Sequence, residues 1–239
     1  MPNPTPPLLR ADAVFHRGIP PEALRGVSLA IEPRRFTLLS GAPGSGAGLL
    51  LRILGLIERP ESGELWLEGQ RTGPLDDAER LTLRNRAFGF LFAEPFLLDS
   101  FSVAENVAMP LFKISGFGLE QARIRTAEVL DFTGLSGAAD ACVADLSLLD
   151  QHKVSLARAL AIEPRALIAQ DAGLQLPAPD LVEFAALLRA VPERLGVAVI
   201  ATSAAGPEIL NPGREILFEE GAVASDSRPI LIVEAPAHE

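Results

Sequence analysis

Four glycines in eight residues, Gly41-Ala-Pro-Gly-Ser-Gly-Ala-Gly48, separate two apolar segments of different length. Phe36-Thr-Leu-Leu-Ser40 before them has the span of a buried strand. Leu49 to Ile57 after them has the length and composition of a buried helix, interrupted only by Arg52. Strand, glycine turn and helix in that order set a turn over a helix N-terminus, where successive backbone N–H groups form a cradle for an anion. Gly41 and Gly46 keep the spacing of the phosphate-loop pattern GxxxxGK(S/T). Ala47 stands in place of its lysine and Gly48 in place of its magnesium-binding hydroxyl. A glycine-rich turn that holds no ligand fits the same eight residues, so the loop alone leaves both readings open.

Length and charge narrow the setting. A chain of 239 residues is one large domain or two interlocked small ones. With 31 acidic against 21 basic side chains, the net charge of −10 argues against a nucleic-acid backbone binder, which needs clustered lysine and arginine. Cys142 is the only cysteine, which excludes an intrachain disulfide framework and a cysteine-cluster metal site and points to a reducing compartment. The proline-rich start has no basic segment followed by a long apolar one, and no stretch of about 18 uncharged apolar residues follows. The chain is expected to be neither secreted nor membrane-spanning.

The rest of the pattern alternates. Strand-like runs lie at Leu9 to Phe15 and Val27 to Ile31, and beyond Pro60 and Gly63 the run Glu64-Leu-Trp-Leu-Glu68 has period two. Asp76 to Arg86 reads as an exposed helix and Phe88 to Phe92 as an apolar strand. Residues 103–160 read mostly helical, with an amphipathic helix at Glu120 to Phe132 and another at Val154 to Ile162, stopped by Pro164. Strands at Ala166 to Gln170 and Val197 to Thr202, a helix at Asp180 to Ala190 and a hairpin over Glu215 to Val223 complete the reading. The prediction is an α/β core interrupted by a helical insert, with no internal repeat. Residues 1–7 and 225–239 are expected to be flexible or accessory tails.

Gly41, Gly44 and Gly46 also spell GxxGxG, as short-chain dehydrogenases have, but that resemblance implies a catalytic tyrosine and the chain contains none. Over residues 8–224 the sequence instead resembles the nucleotide-binding subunits of ABC transporters. Ala23-Leu-Arg-Gly-Val-Ser-Leu-Ala-Ile31 looks like the family's strand ahead of the loop. Leu50-Leu-Arg-Ile-Leu-Gly-Leu-Ile-Glu-Arg-Pro-Glu-Ser-Gly-Glu64 looks like its helix and glycine turn. Gly89-Phe-Leu-Phe92, Leu97-Leu98 and Val103-Ala-Glu-Asn-Val-Ala-Met-Pro-Leu111 resemble the branch of lipoprotein-releasing and macrolide-export ATPases. Ser155-Leu-Ala-Arg-Ala-Leu160 with Glu163-Pro164 resembles the helix after the signature loop. The resemblance implies a P-loop NTPase (RecA-like) core, an N-terminal antiparallel β subdomain and an α-helical subdomain inserted at about residues 93–162. It also implies ATP with magnesium, held between two subunits.

The same resemblance marks where this chain departs. Phe15 matches the aromatic that stacks on adenine, and Gly41, Gly44, Ser45, Gly46, Ala47 and Gly48 match the phosphate loop. Ala93 stands where the family has a glutamine that senses magnesium and water. The signature LSGGQ is replaced by Leu146-Ser147-Leu148-Leu149-Asp150, with leucines where glycine lets backbone approach a γ-phosphate. Asp171 matches the carboxylate that reaches magnesium, Ala172 replaces the glutamate that polarises water, Pro177-Ala178 replaces a leucine-aspartate pair, and Ser203 replaces a histidine. A general base alone is worth about 10²- to 10⁴-fold in rate, and a charged hydrogen bond such as lysine to phosphate about 1.5 to 3 kcal/mol. The expectation is therefore absent or very weak hydrolysis, with weak ATP and magnesium binding. A sister subunit does not repair this, since one composite site takes this loop and the other this signature.

Three readings follow. The first is a degenerate ABC subunit, cytoplasmic and peripheral on the inner face of the cell membrane, docked on a transmembrane permease and paired with itself or another ABC subunit. The second is an active ATPase completed by a partner. The third is a soluble scaffold that kept the fold. Phe96, Leu97, Leu98, Phe101, Val103 and Met109 are candidates to line a groove for the permease, or else belong to the core of the helical insert. His16, His152 and His238 read as surface residues and Trp66 as core. The apolar patch Ile230 to Val233 is a candidate edge strand or docking segment.

Overall fold

The computed structural model describes residues 6–18, 23–203 and 206–228. β1 (Leu9–His16) turns Leu9, Ala11 and Val14 inward and pairs antiparallel with β2 (Leu24–Ile31), Leu9 lying opposite Ile31. β3 (Phe36–Ser40) is apolar on both faces, as a covered parallel strand is. It runs through the glycine loop into α1 (Ala47–Leu54), where Leu49, Leu50, Leu51, Ile53 and Leu54 are all buried. β4 (Ser62–Leu67) returns antiparallel to β1, and β5 (Gln70–Arg71) pairs with its end.

α2 (Asp77–Ala87) opens on a capping box: the Glu79 N–H donates to Asp76 at 2.8 Å and the Asp76 N–H donates to Glu79 at 3.0 Å. β6 (Phe88–Leu91) follows directly. Then come α3 (Val103–Pro110), α4 (Leu119–Thr133) and α5 (Leu148–Ala161), which pack on one another. The chain returns through β7 (Ala166–Gln170), α6 (Ala178–Ala190), β8 (Ala198–Thr202) and the short α7 (Pro207–Leu210), and ends in the hairpin β9 (Arg214–Glu219) and β10 (Ala222–Asp226).

The strands form two sheets, a four-stranded antiparallel one in the order β2-β1-β4-β5 and a six-stranded one in the order β10-β9-β3-β8-β7-β6. In the second, β3 is parallel to both β8 and β9, and β7 is parallel to both β8 and β6. The loops after β3, β7 and β8 therefore leave the same edge of the sheet side by side. That edge is where open α/β sheets bind ligands. One apolar core, including Leu9, Ile31, Leu50, Ile53, Ile168 and Ile200, joins both sheets through α1, and a second, including Val107, Leu130, Leu156 and Phe184, holds the helices against the parallel sheet.

Several sequence expectations shift here. α5 begins at Leu148 rather than Val154, because the Ser147 hydroxyl caps it by accepting the Asp150 N–H at 3.1 Å. β10 extends through residues 225 and 226, which were expected in a tail. Trp66 is half-buried rather than core, with the guanidinium carbons of Arg10 and Arg71 4.8 and 5.7 Å from its ring centroid. Neither His152 nor His16 is a plain surface residue. His152 is 1% exposed, its ring 5.5 Å from that of Phe184, and half-buried His16 accepts the Gly18 N–H at 2.8 Å. His238 and Ile230 to Val233 lie outside the described residues. Among the described residues no helix is long and apolar enough to cross a membrane.

Candidate functional site

The glycine loop is built by backbone constraint. Gly46, the N-cap of α1, has φ 98°, and a β-carbon on it would lie 2.5 Å from the Ala23 carbonyl oxygen, so the position admits only glycine. The Ser45 N–H donates to the Ala42 carbonyl at 2.9 Å, which closes the turn, and the Gly221 N–H donates to the Ser45 carbonyl at 2.9 Å, which ties the loop to the β9–β10 turn. Above the loop is a cavity of about 600 Å³ lined by residues 39–48, Gln170, Asp171, Leu174, Thr202, Ser203 and Gly206.

The charge of this cavity runs against its shape. No lysine or arginine is among the described residues that line it. Ser40 donates to Glu215 at 2.7 Å, and Asp171 adds a carboxylate. Burial pushes the Asp171 carboxyl above its ordinary value, opposed by the neighbouring Thr202 hydroxyl. That hydroxyl sits outside hydrogen-bond geometry, and Thr202 Oγ1 is buried with no partner. The cradle thus has the form of a phosphate site without the cation that would hold a polyphosphate. Magnesium fits less well still: Gly48 has no hydroxyl, and Asp171 is the one carboxylate among the described residues that line the cavity.

The structure gathers Gly41, Gly44, Ser45, Gly46, Ala47, Gly48, Asp171 and Ser203 around one cavity. It leaves the other candidates outside. Phe15, 47% exposed, lines a separate cavity of about 490 Å³ with His16, Arg17, Ala23, Leu24, Arg25, Glu61 and Ser62. Ala93 is half-buried just past β6. Ser147, Leu148, Leu149 and Asp150 form the first turn of α5, where the Ser147 hydroxyl donates to the Asp150 carboxylate at 2.9 Å and Lys153 approaches the other oxygen at 3.4 Å.

Ala172 lies apart from the cavity lining. It is 6% exposed and packs into the helical core, while Asp171, the first residue beyond β7, faces the cavity. The strand ends at Gln170, which pairs with Thr202, and the Asp171 N–H donates to the Thr202 carbonyl at 3.1 Å. Gln170 and Thr202 were missed by sequence reasoning. The extent of the strand already placed Gln170 at its end, and that phase was the available signal.

On the helical side, Phe96 is 63% exposed and Leu98 and Phe101 are also exposed, whereas Val103 is fully buried and belongs to the core rather than to a groove. Phe96 has φ 45° and is gripped by Arg158, which donates to the Phe96 carbonyl at 2.7 Å and the Pro95 carbonyl at 2.9 Å. Ala104, Ala108, Phe112, Leu119 and Leu130 line an apolar cavity of about 380 Å³ between α3 and α4.

The family described as ABC transporter matches residues 24–172, more than half of the chain. The chain belongs to the ABC transporter family. Among its ABC relatives, the lipoprotein-releasing system ATP-binding protein LolD 1 of Rhodospirillum rubrum is 38% identical over 205 residues, covering 84% of this chain and 89% of that protein. LolD 2 of Caulobacter vibrioides is 39% identical over 180 residues, covering 75% and 78%. The methionine import ATP-binding protein MetN 3 of Pseudomonas fluorescens is 37% identical over 180 residues, but the chain spans only 55% of its length. Among solved structures, a dimeric ATP-binding cassette in a post-hydrolysis state, bound to ADP and Pi, superposes with a TM-score of 0.79 at 26% identity. That match covers 92% of this chain and 98% of that one. The α/β fold with its phosphate-loop core is therefore the ABC cassette fold.

Proposed function

We propose that this ABC subunit acts by binding and positioning on a transmembrane permease of the lipoprotein-releasing or macrolide-export kind, at the cytoplasmic face of a membrane, with ATP hydrolysis absent or very weak. One observation carries the reading: the cavity over the glycine loop keeps its backbone cradle while Ala47 and Gly48 leave it without cation or metal-binding hydroxyl. By position directly after the strand, Asp171 takes the place of the family's water-polarising glutamate and Gln170 that of its magnesium carboxylate. The remaining carboxylate is one methylene shorter than glutamate, and Ala93 and Ser203 supply neither a glutamine nor a histidine beside it.

Docking is supported by the exposed Phe96, Leu98 and Phe101, held forward by the Arg158 grip. The relatives named for lipoprotein release and methionine import are ATP-binding proteins of transport systems, which favours a permease over a free scaffold. The homologous dimer supports pairing with a second cassette.

The test is phosphate release by the purified chain, alone and with co-expressed permease, beside the Rhodospirillum rubrum relative. Expected is turnover at least about 10³-fold below the relative in both states, from loss of the groups that polarise water and hold phosphate. Release within tenfold of the relative once the permease is present would overturn the non-hydrolysing reading in favour of an ATPase completed by its partner.

A further inference from the structure

At the edge of the parallel sheet opposite the glycine loop, where β3, β7 and β8 begin, is another polar cavity, of about 430 Å³. The strands between the two edges are five residues long, roughly 17 Å, so the two cavities are separate places. Buried Leu8, Pro164 and Val197 give it apolar walls, and exposed Leu195 stands at its rim. Its volume is in the range of small-molecule sites, about 300 to 1,000 Å³.

Three arginines, Arg34, Arg125 and Arg165, line it against two glutamates, Glu68 and Glu163, which leaves one positive charge in excess on a chain of net charge −10. Arg125 is spent on structure, donating to the Leu160 and Ala161 carbonyls at the end of α5 at 2.9 and 3.1 Å. The approaches of Arg125 to Glu163, 3.8 Å, and of Arg165 to Glu68, 3.5 Å, are longer than an ordinary hydrogen bond of about 2.7 to 3.2 Å. Arg34 makes no hydrogen bond or ion pair among the described residues, and the nearby Glu32 is taken by Arg35 at 3.0 Å. The Arg34 guanidinium is placed all the same. It lies across Gly196, with Nε, Cζ and Nη2 at 3.4, 3.6 and 3.8 Å from where a β-carbon would stand. Arg34, Glu68 and Glu163 sit at φ 58°, 47° and 55°, left-handed backbone that glycine adopts more cheaply. Three such turns carry charged side chains to one cavity, and strain of this kind collects at functional sites.

We infer that this cavity binds a small organic monocarboxylate with an apolar body, its carboxylate on the Arg34 fork and its body against Leu8, Pro164, Leu195 and Val197. A guanidinium presents parallel N–H donors that match the two oxygens of a carboxylate and keeps its charge at all working pH. One excess positive charge suits a monoanion, while Glu68 and Glu163 repel a second negative charge. No bond is made or broken. The inference holds whether or not the glycine loop takes nucleotide.

The experiment is calorimetric titration of the full chain with hexanoate and phenylacetate. Hexanamide, which has the apolar body without the charge, and succinate and hexyl phosphate, which carry a second charge, are titrated beside them. Hexanoate or phenylacetate is expected to saturate with a Kd at or below about 1 mM, and the other three to bind at least about tenfold more weakly. Arg34→Gln is expected to weaken carboxylate binding by about 10- to 100-fold, the range for a charged hydrogen bond. Glu163→Gln, which removes a repelling charge, is expected to tighten it by about threefold. Arg17→Gln, at the Phe15 cavity, is expected to leave it unchanged. All three side chains are exposed, and unfolding midpoints check that the variants are folded. No saturable binding of either carboxylate, equal binding of hexanamide, or unchanged affinity in folded Arg34→Gln would each overturn the assignment. Tighter binding of succinate or hexyl phosphate than of hexanoate would also overturn it and give the cavity to a multiply charged anion.

Discussion

His152 shows how far one side chain departs from what its polarity suggests. It sits 1% exposed against Phe184, its Nε2 has no partner, and burial lowers its pKa. The folded state therefore holds the neutral imidazole while the unfolded chain titrates near the ordinary value of about 6.5. As pH falls below about 6.5 the unfolded state binds the proton first, so stability declines until the folded pKa is reached and then levels off. His152→Leu, which removes an unsatisfied buried nitrogen at similar volume, is expected to raise unfolding stability by about 1 kcal/mol at pH 7. It should also flatten the decline below pH 6.5. Urea melts of both proteins from pH 5 to 8 check both effects. A decline of equal slope in the two would place it elsewhere.

At the scale of elements, the β9–β10 hairpin depends on one buried pair. Arg214, almost fully buried, donates to both Asp226 oxygens, at 2.9 Å through Nε, and to the Ala30 carbonyl of β2 at 2.6 Å, so it joins the last hairpin to the antiparallel sheet. Burial pushes the Asp226 carboxyl up, but Arg214 and the Arg228 N–H outweigh it and hold the carboxyl below its ordinary value. A depressed carboxylate gives stability above its unfolded pKa, about 3.9, and loses it as pH falls through the folded value. Asp226→Ala is expected to cost about 3 kcal/mol at neutral pH, because it leaves a buried guanidinium unpaired. The urea midpoint at pH 7 reads this directly. The hairpin was legible in the sequence around Gly221, but β10 was cut short, since nothing local signals that Asp226 pairs twelve positions back. The strands β3 and β7, bounded by turn residues and apolar on both faces, were read to the residue. α5 was read late because its start is a cap, Ser147.

For the whole molecule, the parallel order β3-β8-β7 decides which residues meet, and there two assignments one position apart compete. Resemblance places a strand-end carboxylate and a following glutamate next to each other, and the lone acidic residue Asp171 drew the first role to itself. The proposed function instead gives the two roles to Gln170 and Asp171, since Gln170 pairs with Thr202 and Ala172 packs in the helical core. The two threadings give opposite predictions for a repaired chain. With Ala47→Lys and Gly48→Ser in place, adding Gln170→Asp and Asp171→Glu should leave the fold intact and tighten nucleotide binding in the presence of magnesium by about tenfold or more, since a cation and metal ligands now face the phosphate cradle. Adding Ala172→Glu instead drives a carboxylate into an apolar core and should cost about 3 kcal/mol of stability with no gain in binding. Calorimetry with magnesium-ATP, paired with unfolding midpoints on the same samples, separates them. A stable Ala172→Glu protein with improved binding would show that residue 172, and not 171, faces the nucleotide, and would return both positions to the threading read from the sequence alone.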